Sequence, residues 1–111
     1  MPTELTLEII RRPDGAVAVV ASGEIDLSNV DALKRTLATA TAEADDSGAP
    51  LVADLGAVEY ADSAAISVLS AHAEQIDTLI VHPLLRTVFA ISGLGELITI
   101  ETAAADANQS N

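Results

Sequence analysis

Two adjoining patterns constrain this fold most: the run Leu51-Val52-Ala53-Asp54-Leu55, and the junction Asp62-Ser63 that opens a helix-spaced apolar stretch. Apart from Asp54 the run is apolar at every position, which predicts a strand covered on both faces. A short connection follows. From about Ser63 the spacing becomes helical, with Ile66, Leu69 and Ala73 on one face and an end near Gln75. A strand feeding a helix is half of a strand-helix-strand unit, and such units build parallel sheets through right-handed crossovers.

The flanking sequence completes the pattern. Leu5, Leu7 and Ile9 alternate with Thr6, Glu8 and Ile10, the mark of a half-buried strand. Arg12-Pro13-Asp14-Gly15 is a turn, and Val17 to Ala21 returns as the second strand of a hairpin. Ser22 to Leu27 then leaves that strand. Ser28 is the expected N-cap of the next helix, with Asp31 as its capping-box partner. Val30, Leu33, Leu37, Ala40 and Ala44 form the helix's apolar face, and it should end near Glu43 to Asp45. Leu79 to Val81 is a brief strand. Pro83 suits a first helical turn, and Leu84, Leu85, Val88 and Ile91 are the expected inward stripe. Gly93 stands where a left-handed C′ residue belongs, and Leu97 to Ile100 is the last strand. The expectation is a single α/β domain over residues 1–102. It has a mixed, mostly parallel sheet of about five strands, an N-terminal hairpin and helices mainly on one face. Residues 103–111 are expected to be a frayed or disordered tail.

Composition narrows the functions. The 111 residues suffice for one domain. There is no cysteine, so disulfides and thiolate metal sites are excluded and a reducing compartment fits. No basic-then-apolar leader opens the chain, and no run approaches the roughly 18 apolar residues of a membrane span. Five basic against 17 acidic residues give a net charge of −12. Duplex binding rests on phosphate neutralisation by Lys and Arg, so direct nucleic-acid binding is not expected. The charge suits a partner with a basic face, though solubility alone would also account for it. Tyr60 and Phe89 are the only aromatics, so there is no base-stacking platform.

With these segments in place, the chain resembles the STAS domain family, in particular its stand-alone anti-sigma factor antagonists. The likeness runs from about Leu5 to Glu101. It is carried by Gly23-Glu24-Ile25-Asp26, Asp54-Leu55, Asp62-Ser63, Pro83, Arg86-Thr87-Val88-Phe89 and Ser92-Gly93-Leu94. The resemblance implies a cytoplasmic, non-enzymatic protein that regulates transcription, for instance in stress responses, by partner switching. It would bind an anti-sigma factor of histidine-kinase-like ATPase fold and so release a sigma factor. Phosphorylation of Ser63 by that partner would switch it off, and a metal-dependent serine phosphatase would reset it. The partner contacts would fall on Glu24, Asp26, Ser28, Tyr60, Asp62, Ser63, Ala64 and Ile66. No cofactor or metal is implied.

The family usually continues Asp-Ser with Ser-Gly, whereas Ala64 and Ala65 stand here. The segment between the switch helix and the next strand is shorter by about two helical turns, and the apolar position before Asp62 is the small Ala61. These departures keep two alternatives in view: an accessory subunit docking on a membrane transporter's ATPase, and an antagonist that binds constitutively without phosphorylation.

The residues also argue for themselves. A helix N-terminus offers unpaired N–H groups and partial positive charge, a suitable place for a phosphate. Ser63 is thus either a plain N-cap or an acceptor, and Asp62 is first of all a cap or orienting group. Asp26 and Glu24 read as solvated loop carboxylates or as partner contacts. A Ser-His-Asp hydrolase is disfavoured, because His72 lies nine residues along the same helix, about 13 Å by helical rise. His82 precedes Pro83 with no nucleophile in view, and neither histidine has metal-ligand spacing. Gly93-Leu94-Gly95 lacks the strand-before-helix setting of a phosphate loop.

Overall fold

In this computed structural model, which describes residues 4–103, five strands and three α-helices alternate along the chain. They are β1 (Leu5–Arg11), β2 (Val17–Ile25), α1 (Val30–Ser47), β3 (Leu51–Ala61), α2 (Ser63–Ala71), β4 (Thr78–Val81), α3 (Arg86–Ile91) and β5 (Thr99–Thr102). Short 3-10 turns at Pro83–Leu85 and Leu94–Glu96 flank α3. The strands lie side by side in chain order, β1 antiparallel to β2 and every later pair parallel. The single α/β domain, the hairpin and the mostly parallel sheet are therefore as expected.

One large core lies between the helices and one face of the sheet. Val17, Val19 and Ala21 of β2, Leu51, Ala53 and Leu55 of β3, and Leu79 and Val81 of β4 point into it. From the other side come Leu33, Leu37 and Ala40 of α1, Ala65 and Leu69 of α2, and Phe89 of α3. The opposite sheet face holds a smaller cluster of Ala16, Ala18 and Val52 flanked by Val20 and Ile80, all from strands or their turns. This corrects the expectation that the 51–55 strand is covered on both faces. Val52 is buried there by side chains of neighbouring strands rather than by a helix layer, which is why its alternation was hidden.

The strands β2 and β3 are longer than their apolar runs. The connection expected after Leu55 is strand instead, and Ser22 to Ile25 stay paired. Val20 pairs with Asp54 but Ser22 with Ala57, and Gly23 pairs with Val58 but Glu24 with Tyr60. Each step inserts one extra residue in β3, so two bulges carry the pairing past Gly56 and Glu59. At the first bulge the Asp54 carboxylate accepts a hydrogen bond from the Gly56 N–H at 3.0 Å. Gly23 takes φ 109°, and a Cβ there would collide with the Glu4 carbonyl oxygen, so only glycine fits.

Four smaller corrections have local causes. The α1 helix runs to Ser47 because Gly48 is the first residue that takes the left-handed turn (φ 68°), and the Ala49 N–H then closes on the Ala44 carbonyl at 2.9 Å. The α2 helix stops at Ala71, and His72 to Gln75 continue as turns, with Ala65 rather than Ile66 fully buried beside Leu69. In the 83–91 segment Leu85 and Phe89 are buried, while Leu84, Val88 and Ile91 face outward. The 3-10 turn before α3 rotates the face away from the expected stripe. The second 3-10 turn takes up Leu94 to Glu96, so β5 begins at Thr99, two residues later than expected. Gly93 has φ 85°, the left-handed C′ geometry read from the sequence. At the other end of β5 the Ala103 N–H donates to the Val81 carbonyl at 2.8 Å. The rest of the expected tail, 104–111, lies outside the described residues.

Candidate interaction face at the sheet edge

Parallel pairing of β2 with β3 brings two polar junctions together. Ile25 is the register partner of Ala61, and the Asp62 N–H donates to the Ile25 carbonyl at 3.2 Å. Asp26 and Asp62 therefore leave the carboxyl ends of two neighbouring interior strands, at the same end of the sheet. With Leu27, Ser28 and Tyr60 they line an open cleft of about 500 Å³. Glu24, the register partner of Tyr60, is exposed just behind it. Among the described residues no basic side chain lines this cleft.

Asp62 caps α2. Its backbone is extended (φ −99°, ψ −170°), and its carboxylate accepts from the Ala64 N–H at 2.9 Å. Ser63 is consequently the first helical residue rather than the cap, which corrects the plain-cap reading of that serine. Its side chain is exposed, and its hydroxyl makes no hydrogen bond among the described residues. Ala64 and Ile66 are half-buried and pack against the core, and Ala65 is fully enclosed. The alanine at position 65 is thus a core contact between helix and sheet.

The loop before α1 is organised by asparagine, which sequence reasoning overlooked. Asn29, not Ser28, is the N-cap of α1. The Asn29 side chain accepts from the Asp26 N–H at 3.0 Å and donates to the Glu24 carbonyl at 3.0 Å. Ser28 is drawn back instead: its N–H donates to the Asp26 carboxylate at 2.9 Å, and its hydroxyl donates to the same oxygen. Asp26 outcompetes the expected capping box because its carboxylate is two residues away, the reach of an Asx turn. Asn29 holds the cap position without a capping hydrogen bond from its side chain, which ties down the preceding loop instead. Leu27 at the tip of this loop was also missed. It is 78% exposed beside the half-exposed Tyr60, a large apolar side chain held up by a tied loop.

Both histidines are engaged locally and away from this cleft. The His72 Nδ1 lies 3.0 Å from the Val68 carbonyl, and the His82 Nδ1 accepts from the Leu84 N–H at 3.0 Å. Among the described residues no helix is long and apolar enough to cross a membrane.

Comparison with known proteins agrees with this architecture. A family model described as "Mlab, STAS domain" matches residues 9–99. The crystal structure of an anti-sigma factor antagonist from Mycobacterium paratuberculosis is similar, with a TM-score of 0.79 and 26% sequence identity over 99% of this chain and 96% of that one. No curated protein sequence matches.

Proposed function

Because this chain belongs to the STAS domain family, we propose that it is an anti-sigma factor antagonist whose acidic face captures an anti-sigma factor and whose release is set by phosphorylation of Ser63. The observation that carries this reading is the division of labour at the α2 N-terminus. Asp62 takes the cap, so the Ser63 hydroxyl is exposed and engaged by nothing else among the described residues. A serine that capped its own helix would have to break that bond before a phosphoryl group could reach it. The similarity to an antagonist over nearly the whole of both chains supports the same role.

The unmodified face suits a protein partner. Leu27 and Tyr60 supply apolar contact, and Glu24, Asp26 and Asp62 surround them with negative charge that would guide a basic surface. The partner would bind ATP and act as the serine kinase. A phosphate on Ser63 adds roughly −1.5 to −2 charge at pH 7 next to Asp62. Two like unit charges about 4 Å apart near a surface repel by roughly 4 kcal/mol, before salt reduces it. The helix N-terminus stabilises the phosphate, so the fold stays and the surface changes. A serine phosphatase would restore the binding form.

The test is intact-mass measurement after incubation with each candidate anti-sigma kinase and ATP. The expected result is gain of one phosphoryl group, absent in Ser63→Ala. Stable binding to a kinase without any mass gain would replace the switch by a constitutive antagonist. Capture of a transporter ATPase, and of no anti-sigma factor, would replace it by the accessory-subunit reading.

A further inference from the structure

Among the described residues the large apolar side chains left exposed are Ile10, Leu27, Tyr60, Leu84, Val88, Ile91 and Leu97. Four of these seven come from the stretch Leu84 to Leu97. Leu84, Val88 and Ile91 are spaced four and three residues apart, and they are 74%, 42% and 80% exposed. That spacing puts them on one flank of α3 and its leading turn, while Leu85 and Phe89 fill the core. The same region is the longest carboxylate-free part of the chain. From Thr78 to Gly95 there is no Asp or Glu, although the whole sequence carries 17. Its charged side chain is Arg86, which forms no ion pair among the described residues.

We propose that this flank of α3 pairs with the same flank of a second copy of the chain, forming a weak two-fold dimer. Charge selects the occupant. A basic partner is drawn to the acidic end of the sheet, where carboxylates face it, and gains nothing here. Two copies, each with a net charge of −12, repel wherever their carboxylates meet. This flank lets them touch with no carboxylate on the contacting helix. The stripe is also self-complementary. An antiparallel two-fold sets Leu84 of one copy against Ile91 of the other, with Val88 near the axis. An apolar patch of a few hundred Å² commonly marks an interaction site. Two such patches bury roughly 700 Å² in all, below the size of a stable interface, so the dimer is weak and reversible.

Sedimentation equilibrium of the full chain tests this, from about 10 μM to about 1 mM protein in about 0.05 M and about 0.5 M salt. The expected result is a mass that rises toward twice the monomer, at lower protein concentration in the higher salt, because salt screens the repulsion. Ile91→Glu should weaken the association at least tenfold, whereas Leu27→Glu at the acidic end of the sheet should leave it unchanged. Ile91 is exposed, so the variant should keep the wild-type circular dichroism; the wild-type series decides the matter even if it does not. A monomer at every concentration overturns the proposal, as does an association that Ile91→Glu leaves intact. Flotation of a persistently monomeric chain with neutral phosphatidylcholine vesicles would overturn it in favour of a lipid surface.

Discussion

Asp62 and Ser63 are adjacent in sequence yet do different work, and substitution should separate them. Asp62→Ala removes the carboxylate that holds the Ala64 N–H and should cost about 1 kcal/mol in urea unfolding. Ser63→Ala removes a hydroxyl with no partner among the described residues and should stay within about 0.5 kcal/mol of wild type. A loss at Ser63 equal to that at Asp62 would return the capping role to the serine. Leu27 should behave in the opposite sense to Asp62. Leu27→Ala should leave the unfolding midpoint unchanged and weaken binding to the anti-sigma factor at least tenfold by titration calorimetry, the signature of an exposed anchor. The Asp-Ser pair was legible in the sequence because both residue types belong at a helix start. Which of the two caps was not, since serine and aspartate cap about equally well and the backbone geometry decides. Asn29 was missed because its side chain ties the preceding loop, a role set by the fold of that loop rather than by capping preference.

At the scale of elements, apolar spacing marked every strand and helix but misjudged several lengths and the buried faces of β3, α2 and the α3 segment. Both long strands pass through residues that break the apolar alternation, and the two bulges are what keep them paired. Gly23 is the critical residue of that device. Gly23→Ala would strain a positive φ and collide with the backbone of Glu4, so it should destabilise by about 2 kcal/mol or more, read from urea unfolding. It should also disturb the following Glu24-Ile25-Asp26 and so weaken partner binding. In α3 the inward pair Leu85 and Phe89 is also spaced four apart, like Leu84 and Val88. Sequence periodicity cannot choose between two such stripes when both are apolar; contact with the sheet chooses.

At the scale of the molecule, an acidic face and a carboxylate-free apolar flank are separated. The acidic cleft lies at the carboxyl ends of β2 and β3, and the carboxylate-free apolar flank lies on α3. Binding at the two places should therefore respond to salt in opposite directions. Capture of the proposed partner by the acidic face should weaken as salt rises, while the proposed self-association should strengthen. Ser63→Glu should weaken capture more at low salt than at high salt, measured by titration of the anti-sigma factor at both. Equal affinity of variant and wild type would count against charge as the switch.

The sequence by itself determined the order of the elements, the buried face of α1 and the Asp62-Ser63 junction. These follow from local periodicity and local capping chemistry, which act within a few residues. Only the tertiary structure decided which residue caps, which stripe of α3 turns inward and that Leu27 stands beside Tyr60 at the end of the sheet shared by Asp26 and Asp62. Those depend on strand register and on packing between segments distant in the chain, which no short window of sequence encodes.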